Sequence, residues 1–247
     1  MTHSPEALWL GVNPSLSHFD RRLCRLLNRQ VDLQHWGYHQ TADEPCCLPT
    51  VLSLLDDYLR SHSQPIHLIG HGLSGAVGLL YSRLHPDRAK SLTLLSVGSN
   101  PAVSWHAHYY ALRNRLPCDR QRVLMQMANM LFGTQSPPKI VGLAKLLEKV
   151  LDTELAPHSL THHQDLAPGG VEVPLLVCHG AYDVIVDANA HSRWQPCLKT
   201  GDRLWTCPAG RHFFHHTHAP QTSAVILDFW QYTDAPLVRA PLIEILS

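Results

Sequence analysis

Residues 65–84 read Pro-Ile-His-Leu-Ile-Gly-His-Gly-Leu-Ser-Gly-Ala-Val-Gly-Leu-Leu-Tyr-Ser-Arg-Leu. The stretch opens with a short apolar run from Ile66 to Ile69 and turns at the small residues Gly70 and Gly72. Apolar residues then recur at helical spacing, at Leu73, Ala76, Val77, Leu80, Tyr81 and Leu84. A short apolar run before a glycine-rich turn is typical of a buried strand, and the later spacing is typical of a helix. The stretch therefore predicts a strand, a tight turn and a helix in direct succession.

The flanking sequence repeats this alternation of strands and helices. Helical spacing marks residues 48–60 and 221–232, and strands are predicted at 7–11, 31–36, 66–69, 89–97, 173–178 and 203–207. Strands that alternate with helices favour a parallel sheet covered on both faces. We therefore expect an α/β fold with a mostly parallel sheet of about six strands, estimated from this alternation.

The alternation stops between residues 99 and 170, where two helical stretches dominate, at 119–132 and 138–155. The first is rich in methionine, which commonly fills irregular gaps in a core. The segment is either a packed helical insertion or a lid whose Met and Leu side chains line an apolar pocket. The expected division is a core of residues 1–98 and 171–232, an insertion at 99–170 and a tail at 233–247.

The composition limits the functional classes. The 247-residue chain has 20 Lys and Arg against 20 Asp and Glu, so nothing in its charge favours nucleic acid or an anionic membrane. No apolar run approaches the ~20 residues of a membrane span. The start of the sequence has neither the basic region nor the apolar core of a signal peptide. The seven cysteines are scattered without the spacing of a zinc site, so we expect free thiols, a cytoplasmic location and no metal or cofactor.

Two further motifs contain groups that can act as acid and base. Asp183 closes the sequence His-Gly-Ala-Tyr-Asp directly after a predicted buried strand. His212 lies in Pro-Ala-Gly-Arg-His-Phe, on the loop after the last predicted strand. A carboxylate that accepts a hydrogen bond from an imidazole orients the ring as a base. The alternatives are a turn aspartate and a surface-loop histidine.

In order and spacing, the turn at 70–75, the Asp183 motif and the His212 motif together resemble the α/β-hydrolase superfamily, lipase- and esterase-like with a helical lid. The resemblance covers about residues 7–232. It implies an α/β-hydrolase fold, with Asp183 and His212 as the acid and base of a catalytic triad. The chain is expected to lack the pair of N-terminal strands that most members have.

The sequence departs from the family at the nucleophile. The family motif is Gly-x-Ser-x-Gly, with the serine at the tip of the turn, and this chain has Gly72 there. Ser74 is a weak substitute, because two residues of helix rotate its side chain by about 200° from the tip. Gly11 replaces the usual His-Gly pair of the oxyanion loop, and backbone N–H groups of Val12 and Leu73 could still point into the pocket. His71 is a further polar candidate for the pocket wall.

Three functions follow from these features. The first is a pseudo-hydrolase that binds a small hydrophobic molecule or a partner protein without hydrolysis. The second is a lyase or oxygenase that uses Asp183 and His212 as a general base without a nucleophile. The third is a serine esterase that acts through Ser74 on a small hydrophobic ester.

A histidine cluster and a sheet edge are the last candidates. His212, His215, His216 and His218 have a spacing that could gather metal ligands, but no carboxylate or cysteine set accompanies them. Without the N-terminal strands, the strand at 31–36 should form an edge of the sheet, with Trp36 and Tyr38 as exposed aromatic candidates. That edge, or the apolar tail from Leu237 to Leu246, is a candidate surface for a partner or a second copy.

Overall fold

The computed structural model describes residues 4–39, 41, 43, 47–155, 167–186 and 189–235. The predicted docking segment at 237–246 and part of the predicted insertion therefore lie outside the described residues. Among the described residues, none of the helices combines the length and hydrophobicity needed to cross a bilayer.

Six strands form one sheet in which every neighbouring pair is parallel. They are β1 Ala7–Gly11, β2 Leu33–Gly37, β3 Ile66–His71, β4 Ala89–Leu95, β5 Leu175–Gly180 and β6 Arg203–Cys207. Their spatial order is β2-β1-β3-β4-β5-β6. The predicted parallel sheet of about six strands is confirmed, and the strand predicted at 31–36 lies at its edge with slightly shifted bounds.

Nine α-helices are described along the chain. They are α1 Arg21–Leu27, α2 Leu48–Arg60, α3 Leu73–Leu84, α4 Trp105–Arg115, α5 Arg120–Phe132, α6 Pro137–Thr153, α7 Ala190–Trp194, α8 Phe214–Thr217 and α9 Ala219–Asp234. A 3-10 helix spans Pro14–Phe19, and another spans Gln195–Cys197.

Both faces of the sheet are buried. Successive side chains of a strand point to opposite sides, and helices cover each side. Leu8 and Leu10 pack in a cluster with residues of α2 and α3. Ala7 and Trp9 pack in a second cluster with residues of α1 and α9. The central strands are consequently hydrophobic on both sides, as the sequence predicted for a parallel sheet.

Helices α4, α5 and α6 lie between β4 and β5 in the chain and have their own apolar cluster. That cluster also contains Leu16, Phe19 and Phe213, which belong to the segments at the carboxyl edge of the sheet. The sequence did not predict α4, since only Trp105, His106 and Tyr109 of this helix are buried and its apolar periodicity is correspondingly weak. Its start is fixed by the side chain of Ser104, which accepts a hydrogen bond from the Ala107 N–H.

The expectation that Trp36 and Tyr38 are exposed is wrong. Their side chains are 8% and 6% exposed and pack into the cluster that contains α2 and α3. Helix α2 accounts for this burial, because its residues Val51 and Leu55 belong to the same cluster. The exposed side chains of the edge strand are those of Gln34 and His35.

Candidate active site

The turn between β3 and α3 has the geometry of an elbow. Gly72 lies between them with φ +52° and ψ −121°, a region that side-chain-bearing residues adopt only with strain. Gly70 and Gly75 allow the strand and helix to meet closely, since a Cβ on Gly70 would lie 2.6 Å from the Gly75 nitrogen. The turn therefore places residue 72 at the tip, at the carboxyl edge of the sheet, where parallel α/β folds bind ligands.

The missing side chain of Gly72 would point at His212. A Cβ built on Gly72 lies 3.9 Å from His212 Nε2, and apart from its chain neighbours no other described residue has an atom within 4 Å of it. Nε2 is buried and has no hydrogen-bond partner among the described residues. A side chain at position 72 would therefore face His212 Nε2 directly.

Asp183 and His212 are brought together although 29 residues separate them. His212 Nδ1–H donates to the Asp183 carboxylate, at 3.0 Å to Oδ2 and 3.2 Å to Oδ1. The two residues are only 3% and 2% exposed. The backbone N–H groups of Ile185 and Val186 also donate to Asp183 Oδ1, at 2.9 and 3.2 Å. The carboxylate is therefore held on both sides, by the imidazole and by its own turn.

Burial by itself would raise the pKa of Asp183. The charge and the hydrogen bond of His212, together with the nearby Ser96 hydroxyl and the Ile185 N–H, outweigh burial and hold this pKa well below its usual range. Asp183 is consequently ionised at neutral pH. In the neutral form of the ring, this bond to Nδ1–H leaves the lone pair on Nε2, which faces the Gly72 position.

His71 lies in the pocket wall as the sequence suggested, but its ring nitrogen contacts the backbone. Its Nε2–H donates to the carbonyl of His212 at 3.0 Å, and Ser96 Oγ–H donates to the same carbonyl at 2.8 Å. Burial and the repulsion from His215 and His212 hold the pKa of His71 well below its usual range. His71 and Ser96 therefore position the backbone of His212, and these contacts give them no part in a proton transfer.

The predicted role of Val12 needs correction. Its N–H, expected to point into the pocket, donates instead to Ser74 Oγ at 3.0 Å. This bond gives Ser74 a structural role, because it connects the start of α3 to the loop after β1. Ser74 is only 7% exposed. Leu73 is in the first turn of α3, where backbone N–H groups have no intrahelical acceptor. Leu73 therefore remains the backbone donor nearest the Gly72 position.

A cavity of about 330 Å³ opens beside this turn. Of the predicted site residues, it contacts Gly11, His71, Gly72, Leu73, Ser74 and His212. Its apolar wall consists of Trp9, Leu16, Trp36, Leu73, Trp105 and Phe213. Asp20, Arg21, His35 and His39 also line it. The cavity is thus mainly apolar with a few polar groups in its wall, as small-molecule sites commonly are.

Sequence reasoning missed a second acid–histidine pair in this region. Asp20 Oδ1 lies 2.9 Å from His215 Nε2, and Asp20 Oδ2 accepts the indole N–H of Trp9 at 3.1 Å. Burial raises the pKa of Asp20 to about 7, and burial with the repulsion from His212 and His216 lowers that of His215 to about 3. Between about pH 3 and pH 7 the pair therefore holds a single proton, on the Asp20 carboxyl. Residues 195 positions apart form it, so no local pattern could have revealed it.

The histidines of the predicted cluster have separate partners. His212 contacts Asp183, His215 contacts Asp20, His216 Nδ1 lies 3.2 Å from the Phe19 carbonyl, and His218 contacts Thr217. Within the part of the chain that the structure describes, no group of three or more His, Cys, Asp or Glu side chains is placed to hold a metal ion.

Comparisons with known proteins place this geometry in context. No protein-family model matches the sequence. The chain is 43% identical over 224 residues to an uncharacterized protein of Synechocystis sp., covering 91% of this chain and 89% of that protein. It is 34% identical over 231 residues to an uncharacterized protein of Nostoc sp., covering 94% and 92%.

Solved hydrolase structures resemble the chain at low identity. A hydrolase from Pseudomonas aeruginosa has a TM-score of 0.61 and 20% identity, with 93% of this chain and 91% of that chain covered. A meta-cleavage product hydrolase from Pseudomonas fluorescens has a TM-score of 0.67 and 8% identity, with 92% and 91% covered. At these identities the likeness concerns the fold alone.

Proposed function

The chain belongs to the family of the Synechocystis and Nostoc proteins and has the α/β-hydrolase fold, and we propose that it is a ligand-binding member without serine-dependent hydrolysis. The observation that carries this proposal is Gly72. It occupies the tip of the elbow, and its absent side chain would point at His212 Nε2. Acyl transfer in this fold needs a nucleophile at that point, and glycine provides none. The ligand is a small, mainly hydrophobic molecule that fits the neighbouring cavity.

A second candidate function is general-base catalysis without a nucleophile. It is supported by the bond between Asp183 and His212 and by the buried, unpartnered Nε2. In this alternative, Nε2 takes a proton from the ligand, and the Leu73 N–H stabilises the resulting oxyanion or enolate. This is lyase- or oxygenase-type chemistry and requires no cofactor from the protein.

Ester hydrolysis through Ser74 is the weakest alternative. Its Oγ accepts a hydrogen bond from the Val12 N–H, and the residue is nearly buried. The side-chain position that faces His212 is that of residue 72.

A fluorophosphonate probe, read by intact-protein mass spectrometry, tests the proposal directly. We expect no labelling of the unmodified protein, while a known serine hydrolase in the same mixture is labelled. Labelling that Ser74→Ala removes would establish the esterase alternative instead. Native mass spectrometry of the purified protein should then detect a bound small molecule. Conversion of that molecule, lost in His212→Ala, would favour general-base catalysis over binding alone.

We also propose that the β2 edge associates with a second copy or a partner, since an edge strand presents unpaired backbone groups. Gln34 is exposed on this edge, and a lysine there should oppose strand pairing. Light scattering after size-exclusion chromatography should show that Gln34→Lys reduces association, while Gln126→Lys on the exposed side of α5 does not. A monomeric unmodified protein that binds no partner would contradict the proposal.

A cytoplasmic location completes the proposal. The six cysteines among the described residues are all free thiols: Cys24, Cys47, Cys118, Cys178, Cys197 and Cys207. Free thiols persist in a reducing compartment. A fluorescent fusion followed by cell fractionation would test the location.

A further inference from the structure

A second cavity, of about 450 Å³, lies between the insertion helices and the segment that follows His212. Its apolar wall consists of Phe19, Leu131, Phe132, Leu143 and Phe213. The rings of Phe19, Phe132 and Phe213 pack together, with centroids 4.5–4.9 Å apart. Phe213 also lines the first cavity, so its ring stands between the two. The second cavity has the size and apolar lining of a small-molecule site.

The polar residues around this cavity are basic or neutral. Lys139 and Arg211 line it together with His18, His216 and His218, and the lining contains neither Asp nor Glu. Among the described residues, Lys139 and Arg211 form no ion pair with an acidic side chain. Two cationic side chains therefore border an apolar cavity without a neutralising acidic partner in the described part of the chain.

The positions of these cations are supported by their neighbours. Arg211 lies against the end of α5, where a Cβ on Gly133 would come within 2.7 Å of its Nε. A side chain at position 133 would therefore displace this part of Arg211. Burial lowers the pKa of His216, and the nearby charges of His18, Lys139 and Arg22 lower it further. The electrostatic environment on this side of the cavity is consequently positive.

We propose that the second cavity binds an amphiphilic anion, whose acyl or aromatic body contacts the phenylalanine cluster and whose carboxylate or phosphate lies between Lys139 and Arg211. Apolar burial supplies most of the affinity. The two cations select the headgroup, because charge-assisted hydrogen bonds are stronger than neutral ones. This site is separate from Gly72 and does not depend on the function proposed for the first cavity.

Isothermal titration calorimetry with decanoate and decyl phosphate, below their micelle concentrations, tests the charge requirement. Decanol and decyltrimethylammonium supply the same alkyl chain without an anion. We expect the better of the two anions to bind at least tenfold more tightly than either control and to weaken as salt is added. The comparison between decanoate and decyl phosphate identifies the preferred headgroup. Equal affinity for anion and decanol would overturn the proposal.

Substitutions locate the binding. Lys139→Gln and Arg211→Gln should each weaken anion binding about five- to tenfold, the effect of one lost charge contact of roughly 1 kcal/mol. Lys145→Gln is the matched control, because Lys145 is exposed on the same helix α6 and does not line the cavity. Circular dichroism checks that the variants remain folded. Unchanged affinity in Lys139→Gln would place the ligand elsewhere and refute the assignment.

Discussion

Gly72→Ser is the most informative substitution, because it adds only the group that the elbow lacks. The Cβ position is 3.9 Å from His212 Nε2, so a hydroxyl on it can approach Nε2 to about 2.6–3.2 Å, the distance expected between nucleophile and base. The backbone at residue 72 has φ +52°, and a serine there should cost about 1–2 kcal/mol of stability. For a chain of this size, that cost lowers Tm by about 2–8 °C.

The rate should be limited by the oxyanion donors. The Val12 N–H is bound to Ser74 Oγ at 3.0 Å, which leaves the Leu73 N–H as the donor at the elbow. Removal of one oxyanion donor costs about 10²–10³ in kcat. We therefore expect Gly72→Ser to react with a fluorophosphonate and to hydrolyse p-nitrophenyl esters about 10²–10³ more slowly than a complete site. Adding Ser74→Ala should free Val12 and increase the rate.

Two controls make the result interpretable. Gly72→Ala introduces the same backbone strain without a hydroxyl, so it should lose similar stability and gain no activity. Gly72→Ser combined with His212→Ala keeps the hydroxyl and removes the base. A folded Gly72→Ser protein that neither reacts with the probe nor hydrolyses esters would refute the inference that His212 is aimed at residue 72.

Asp183→Asn should lower the free energy of unfolding by about 1.5–3 kcal/mol at pH 7, because it replaces the ionised acceptor of buried hydrogen bonds by a neutral amide. In urea titrations this difference should shrink below pH ~4. The pKa of Asp183 is lower in the folded than in the unfolded protein, so the carboxylate adds stability above the unfolded pKa and loses it as the folded carboxylate is protonated. An equal difference at all pH values would contradict the direction of the pKa shift. The pair of Asp20 and His215 holds one proton between about pH 3 and pH 7, and the unfolded residues also hold one between pH ~3.9 and ~6.5. The wild-type pair should therefore leave the free energy of unfolding independent of pH in that window. Asp20→Asn leaves a buried neutral His215, so the free energy of unfolding of that variant should rise with pH by up to ~1.4 kcal/mol per pH unit. Equal pH slopes in the two proteins would contradict this.

The sequence was sufficient wherever local pattern determines structure. The apolar run at Ile66–Ile69, the glycines and the three- and four-residue spacing predicted β3, the elbow and α3, because each follows from backbone geometry within a few residues. Helix α2 was predicted with its observed bounds, since its buried residues recur at helical spacing. The sheet edge also followed, but from the family resemblance, because the strands that normally cover the strand at 31–36 were not predicted in this sequence.

Contacts between distant segments could not be predicted in this way. The bond from Val12 to Ser74 spans 62 residues, and it changes the availability of an oxyanion donor. The Asp20–His215 pair depends on how the loop before α1 meets α8. Trp36 was an exposed-aromatic candidate because it lies on the predicted edge strand, whereas its side chain packs with residues of α2. In each case the deciding fact is a tertiary neighbour rather than a periodicity.

The bond between Asp183 and His212 is not by itself a sign of catalysis, since both residues also make structural contacts. Asp183 caps its own turn through two backbone N–H groups, and the His212 carbonyl accepts from Ser96 and His71. These contacts would persist without any reaction. Nε2 of His212 is different, because it is buried and unpartnered among the described residues, which costs about 1–3 kcal/mol unless a ligand or water satisfies it. In the neutral ring, Nδ1 carries the proton donated to Asp183 and Nε2 is the acceptor. A ligand that fills the space left by the Gly72 side chain then donates a hydrogen bond to Nε2, from a hydroxyl or an amine, whether it is transformed or only bound.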